Sequence, residues 1–209
     1  MFVQPYLWAN VPFPATTPGV IIQVLDVGVA PSFWVSDGTN WRPLNGRVLL
    51  YQRTGTLAAP LATLTGVTLA LFTLPQTLTI QAGVIPPNGM VCVTAEVQRT
   101  TATAAANAKI WLGNLGTTAD VAIGNLIMGA TANLIIPRLH GSFFMTGSSG
   151  SGTVNGAVVP ENTTSASAIL QDATVNTPNT LPLYVTIGMS GANAADTFNL
   201  NNYSVWLEA

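Results

Sequence analysis

Charge is what this chain has least of. Among 209 residues only six are Lys or Arg and eight are Asp or Glu, 7% in all, against roughly 25% in an average soluble protein. The six cations do not cluster: Arg42, Arg47 and Arg53 form a loose group, and Arg99, Lys109 and Arg138 stand apart. Neutralising several phosphates takes a concentrated basic patch, so nucleic acid is excluded as a partner. The single cysteine, Cys92, excludes an intrachain disulfide. It lies in the alternating stretch MVCVTAEV and is expected to be a buried thiol. The single histidine, His140 in RLHGSFF, has no nucleophile elbow to serve and is expected to end a strand in a hydrogen bond. No Cys/His cluster suits zinc, no loop suits calcium, and no glycine-rich turn opens a helix to cradle phosphate. The expectation is a protein that is not an enzyme, with no catalytic, metal or cofactor residue and no cofactor. Long hydrophobic runs are missing too, so no transmembrane helix and no membrane partner are indicated. The opening MFVQPYLWANVPFP lacks a basic start and a continuous apolar stretch, so synthesis without a cleaved signal is expected.

What is present is apolar and neutral. Hydrophobic residues make up 48%, and polarity comes mostly from Thr, Asn, Ser and Gln. Few like charges then oppose a second copy, and desolvating a hydroxyl or amide costs less than desolvating Lys or Glu. Such a surface fits contacts within an assembly. It also fits an extracellular β-protein with a Thr/Asn skin.

Residues 1–19 contain Pro5, Pro12, Pro14 and Pro18. Proline fixes φ, removes an N–H and pushes its predecessor towards extended geometry, which predicts an extended arm. The arm carries Phe2, Tyr6, Leu7, Trp8 and Phe13, too much apolar bulk to be left in water. It must fold back on its own domain or insert into a partner, and insertion is the expectation taken here. From Val20 the pattern is of short strands: Val20–Val27, Phe33–Ser36, then Asp37-Gly38 as a hairpin turn, a return strand from Trp41, a second turn at Asn45-Gly46, and Arg47–Tyr51. A three- or four-stranded mini-sheet of this size needs heavy aromatic packing or a partner. Trp34 and Trp41 flank the first turn and are expected to staple it by cross-strand aromatic contact, with a sugar-stacking platform as the other reading.

The rest of the chain shows no useful helical periodicity. Val91, Val93, Ala95 and Val97 alternate with Cys92, Thr94, Glu96 and Gln98, the period-2 pattern of a half-buried strand. AKIWLGN, ADVAIGNLIM, ANLIIPRLHGSFFMTG, LPLYVTIGM and TFNLNNYSVWLEA are further strand candidates. Thr101–Lys109 could form a helical turn, and the Gly/Ser-rich Thr146–Ala168 is expected to be a long exposed loop. The fold class is therefore all-β: residues 1–53 as extended arm and small β-module, residues 54–209 as an antiparallel, jelly-roll-like β-sandwich.

One stretch carries a resemblance. Val24–Gly28 (VLDVG), Trp34–Pro43 (WVSDGTNWRP) and Asn45–Arg47 (NGR) resemble a small module of tailed-bacteriophage structural proteins, over about 35 residues. The closing YSVWLEA is similar to the last strand of trimeric phage jelly-roll domains. The resemblance implies a virion protein assembled in the bacterial host cytoplasm, a homotrimer with one end anchored to the major capsid protein or another virion protein. With no heptad, β-helical repeat or shaft, a capsid decoration or cement protein, or a short head fibre, is favoured over a long fibre. The alternative is a tail-fibre component recognising host surface glycans, with Trp111 or Tyr184 as exposed aromatics. The anchoring interface expected on this reading is Phe2, Tyr6, Leu7, Trp8, Phe13, Trp34, Trp41 and Arg42.

Overall fold

The computed structural model describes residues 3–12, 18–56, 58–66, 69–74, 77–101, 105–128, 134–146, 152–156, 173–177, 181–190 and 193–209. Phe2 and Phe13 lie outside the described residues. Among those residues the structure is β throughout, apart from one 3-10 turn at Trp8–Asn10, and no helix is long and apolar enough to cross a membrane.

Three sheets result. The first joins β1 (Pro5–Tyr6), β2 (Ile21–Val24), β3 (Ser32–Ser36) and β4 (Trp41–Pro43) in chain order, with β1 and β2 parallel. The other two are antiparallel and form a jelly-roll-like sandwich. The larger takes β5 (Arg47–Thr54), β6 (Ala62–Thr65), β9 (Met90–Arg99), β12 (Leu134–Thr146), β13 (Gly152–Gly156), β14 (Ala173–Thr177) and β16 (Thr197–Glu208), ordered β14-β13-β12-β9-β16-β5 with β6 also on β16. The smaller takes β7 (Ala70–Leu71), β8 (Leu78–Ile80), β10 (Ala106–Gly113), β11 (Val121–Met128) and β15 (Leu183–Ser190), ordered β11-β10-β15-β7 with β8 also on β15.

Period-2 patterning places the core. On β9 the residues Val91, Val93, Ala95 and Val97 are buried and their alternates face outward, as the sequence pattern demands. β16 needs a correction partway along: Phe198 and Leu200 point inward, yet so do Tyr203, Val205 and Leu207, on the opposite phase. An extra residue between Leu200 and Asn202 resets the phase. Glu96, opposite the bulge, accepts Nδ2–H bonds from Asn201 at 3.0 Å and Asn202 at 2.9 Å, so one carboxylate holds both amides of the irregular turn.

Three sequence expectations are corrected. Arg47–Thr54 does not belong to the module: it pairs with β16, and Val48 and Leu50 enter the sandwich core. The module thus ends before residue 53, and its buried Ile22, Val24 and Trp34 are continuous with the sandwich core. A mini-sheet too small to stand alone has merged its apolar face with a larger one. Secondly, Gly152–Gly156, inside the expected exposed loop, is β13; Thr153 and Val154 have the β-branched shape that suits a strand, and β12 offers them an edge. Thirdly, Ala106–Lys109, placed in a helical turn, is the start of β10.

Candidate functional site

The expected anchor is the arm and module, and the first question is what the arm does. Its described part folds back. β1 lies parallel to β2, with the Gln23 N–H donating to the Gln4 carbonyl at 3.2 Å and the Leu25 N–H to the Tyr6 carbonyl at 3.0 Å. Pro5, which has no N–H to give, sits on an edge strand where none is missed. Over residues 3–12 the arm thus takes the intramolecular course, one of the two that its sequence allows. The reason is local: β2 had an open edge, and Tyr6 and Trp8 had apolar groups of the core to cover.

The tryptophans fix this arrangement. Trp34 is fully buried, and the ring against it is Trp8 of the arm, centroids 5.0 Å apart and tilted 54°. Two of the three indole N–H groups span a junction, and the third stays within β3. Trp8 Nε1–H donates to the Ala82 carbonyl of the sandwich at 3.0 Å, Trp41 Nε1–H to the Pro12 carbonyl of the arm at 2.7 Å, and Trp34 Nε1–H to Ser32 Oγ at 2.8 Å. Trp34 and Trp41 are staples, though not to each other. Both are buried, which leaves no ring face open for stacking a sugar.

Gly28, the last residue of the VLDVG stretch, sits at φ +99°, and a Cβ there would lie 2.7 Å from the Leu49 carbonyl oxygen. The close approach lets the Val29 N–H donate to that oxygen at 3.0 Å, closing the module onto β5. At the other end Gly38 takes φ +92° in the turn, and Asp37 Oδ1 accepts the N–H groups of Thr39 and Asn40 at 2.8 and 2.6 Å. Arg42 Nε binds Asp37 Oδ2 at 2.7 Å, and its Nη2 reaches the Pro87 carbonyl at 3.2 Å. Arg42 is therefore occupied in tying the turn to the sandwich. Pro43 closes the β4 edge. The Leu44 N–H is spent on the Phe33 carbonyl, so the outward position falls to a residue with no N–H.

Desolvation pushes the Asp37 carboxyl up. The Arg42 hydrogen bond and the Asn40 and Thr39 N–H groups outweigh it and hold the pKa at about 2, below the ordinary 3.8. A depressed carboxylate stabilises the fold fully above its ordinary pKa, and the contribution is lost as pH falls from about 4 towards 2. Midpoint temperatures across that window are expected to fall more steeply for the native chain than for Asp37→Asn. The effect is small because the pair is partly solvated; parallel curves would remove this role.

With the tryptophans turned inward, their neighbours face out. Phe33 and Leu44 are 44% and 45% exposed, beside half-buried Val35 and Ile21. Leu7, Val20, Leu25 and Val29 are exposed as well, whereas the rest of the described chain adds only Leu69, Leu115, Phe144 and Leu181 to the exposed large apolar side chains. The apolar surface is thus concentrated on the module. Two clefts mark its seam with β5. One of about 410 Å³ is lined by Asp26, Tyr51, Gln52 and Arg53, and one of about 220 Å³ by Val29, Phe33, Arg47 and Leu49.

Of the expected interface residues that are described, only Leu7 is openly exposed; Tyr6, Trp8 and Arg42 are half-buried, and Trp34 and Trp41 are buried. Phe33, Leu44, Val29, Leu25 and Val20 were missed. The signal that finds them is strand alternation, since a buried Trp34 turns Phe33 outward. Elsewhere, Trp111, expected to be exposed, is 3% exposed on β10, and Tyr184 is half-buried. Cys92 faces outward and is half-buried; burial pushes its thiol up, Glu208 adds to that and Arg47 opposes it. His140 is half-buried on the same outer face, opposite Thr94.

No family model matches the chain, and no curated protein matches it. Among solved structures it is similar to a CBM22-1 xylan-binding domain from Paenibacillus barcinonensis, at 13% identity and a TM-score of 0.27, over 77% of this chain and 94% of that one. It is also similar to a chain of the infectious bursal disease virus Gt strain, at 12% identity and a TM-score of 0.27, over 78% of this chain and 32% of the viral one. This chain thus spans about a third of that viral chain. At these values neither similarity carries a ligand or a role across.

Proposed function

We propose that the chain is a non-enzymatic structural protein of a tailed-phage virion, a homotrimeric capsid decoration or cement protein or short head fibre. The module anchors it to the major capsid protein or a neighbouring virion protein, and the sandwich projects. The observation that carries the reading is the division of labour within the module. Its tryptophans are spent on rigid attachment to the sandwich, while Phe33, Leu44, Val29 and Leu25 are left in water on a surface that nothing in the described chain covers. A rigid, outward apolar patch on a chain with 7% charge is what a buried contact requires of one partner. The wording of the module, WVSDGTNWRP, supplies the virion context through its resemblance to phage structural modules. Mechanically, area buried across capsomer boundaries adds to the stability of the shell by mass action.

The test is a particle lacking this protein. Such particles are expected to lose DNA at lower temperature or chelator concentration than complete ones, and added protein should restore them. Phe33→Asp should restore them at least about 10-fold less well, the loss typical of a central apolar contact. Equal resistance with and without the protein would overturn the reading. Adsorption to host cells blocked by the purified protein would point instead to a receptor-binding tail component.

A further inference from the structure

One strand edge of the large sheet is left open beside a cation that has no counter-ion. β5 is the last strand of its sheet, and its phase follows from both of its ends. The Gly55 N–H donates to the Asn201 carbonyl at 2.6 Å and the Ala209 N–H to the Gly46 carbonyl at 3.0 Å, so Gly55 and Gly46 face β16. Antiparallel neighbours alternate between bonded and unbonded pairs. Counting inward along the register to the bulge at Val205/Trp206 leaves Leu49, Gln52 and Thr54 with their N–H and C=O groups turned away from β16. Leu49 fits this phase, because its carbonyl accepts the Val29 N–H of the module at 3.0 Å. Gln52 and Thr54 have no such partner among the described residues. Their stretch borders the cleft of about 410 Å³ lined by Asp26, Val29, Tyr51, Gln52 and Arg53.

Charge decides what fits there. Arg42, Arg47 and Arg99 each hold a carboxylate, whereas Arg53, on the wall of the cleft, has none among the described residues. Its guanidinium lies near the buried Tyr203 hydroxyl: burial pushes that hydroxyl's pKa up, and the Arg53 charge opposes the rise. Tyr203 is thus neutral, and the Arg53 charge stays unmatched. Asp26, the acidic residue of the same cleft, is already engaged. Its Oδ1 accepts the Trp8 N–H at 2.7 Å and its Oδ2 the Gln81 Nε2–H at 3.1 Å. A second copy does not suit this edge, since antiparallel pairing about Gln52 and Thr54 brings two Arg53 side chains together. A strand of another protein with Asp or Glu opposite Arg53 meets both the open backbone groups and the free charge.

We infer that the β5 edge at Gln52 and Thr54 receives an extended segment of a partner protein, which pairs with the open N–H and C=O groups and sets a carboxylate against Arg53. The inference rests on the assembly reading above and names the chemistry of its partner. The cleft adjoins the cleft beside Phe33 at Val29, so one neighbour covers both. The probe is a short capped peptide of alternating Thr and Val with a central Glu, added to the isotope-labelled full chain. The amide resonances of Gln52, Thr54 and Gly28 should move and saturate with a Kd of about 1 mM. The same peptide with Lys in place of Glu should bind at least about 5-fold more weakly. A fully N-methylated Glu peptide keeps the carboxylate but cannot donate to the edge, and should not bind. Arg53 is exposed, so Arg53→Glu should fold, and it should reverse the preference in favour of the Lys peptide. No movement at about 10 mM peptide overturns the inference. So does equal binding of the Glu and Lys peptides, or binding of the N-methylated one. If no peptide binds while Phe33→Asp loses particle binding, this edge is wrong and the anchoring reading stands. If the peptides behave as expected but the protein never protects particles, the anchoring reading is wrong and this edge stands.

Discussion

Trp34→Ala is expected to destabilise the fold by about 3–5 kcal/mol, the range for truncating a large buried aromatic. The position is extreme even for a core residue. The ring is fully buried, it packs on Trp8 at 5.0 Å, and its N–H is held by Ser32 Oγ, which itself donates to the Val27 carbonyl at 3.3 Å. Removing it leaves a hole bounded by the arm on one side and the continuous core on the other, and neither wall can collapse without breaking a junction bond. The loss should therefore reach the arm. Protease cleavage near Tyr6 and Leu7 should accelerate in Trp34→Ala, because Trp8 loses its ring partner. Trp34→Phe separates packing from polarity: it keeps most of the buried area and should cost about 1–2 kcal/mol, mainly the hydrogen bond and a residual void. Urea denaturation followed by circular dichroism measures both. A Trp34→Ala loss under about 1 kcal/mol, with the arm still protected, would mean that arm and core are not coupled through this ring.

Why some of this was legible in the sequence and some not follows from the range of the interactions. The inward face of β9 could be read because alternation is local, as could the turns at Asp37-Gly38 and Asn45-Gly46, whose glycines adopt positive φ. The destination of Arg47–Thr54 could not. It looks like the third strand of a meander, and only its pairing with β16, at the far end of the chain, removes it from the module. The phase reset on β16 was hidden for the same reason: nothing in LNNYS marks Asn201 as the extra residue until Glu96 is placed opposite. The arm was legible as extended and as too apolar to stay in water, but not where it would lie, because the open edge of β2 that receives it is a property of the sheet. In the candidate site the large aromatics attracted the interface reading, and the structure spends them inside. The exposed set, Phe33 and Leu44, is what their burial leaves on the other face.

The second large effect concerns charge rather than packing. Arg99 and Asp196 are 0% and 1% exposed at the side chain and bound at 2.7 Å, in a chain that has few ionic groups at all. The pair fastens the end of β9 to the entry of β16. Arg99 Nε also donates to the Thr101 carbonyl at 3.1 Å, the guanidinium lies 5.6 Å over Phe198, and the Asp196 carbonyl accepts the Gly66 N–H at 3.1 Å. Bringing two charges out of water costs several kcal/mol each, which their attraction and these added bonds offset. The pair as a whole is then close to neutral in net effect, yet removing one member is severe. Asp196→Ala leaves a guanidinium buried without its counter-ion and should cost about 3–5 kcal/mol. Replacing both, Arg99→Met with Asp196→Leu, removes the stranded charge and should recover most of that loss. The double-mutant cycle in urea therefore yields a coupling well beyond additivity. Salt should barely alter it, since the pair lies out of reach of screening ions. Additive losses, or a coupling halved by molar salt, would show that water reaches the pair and that the strand ends are held by their backbone bonds alone.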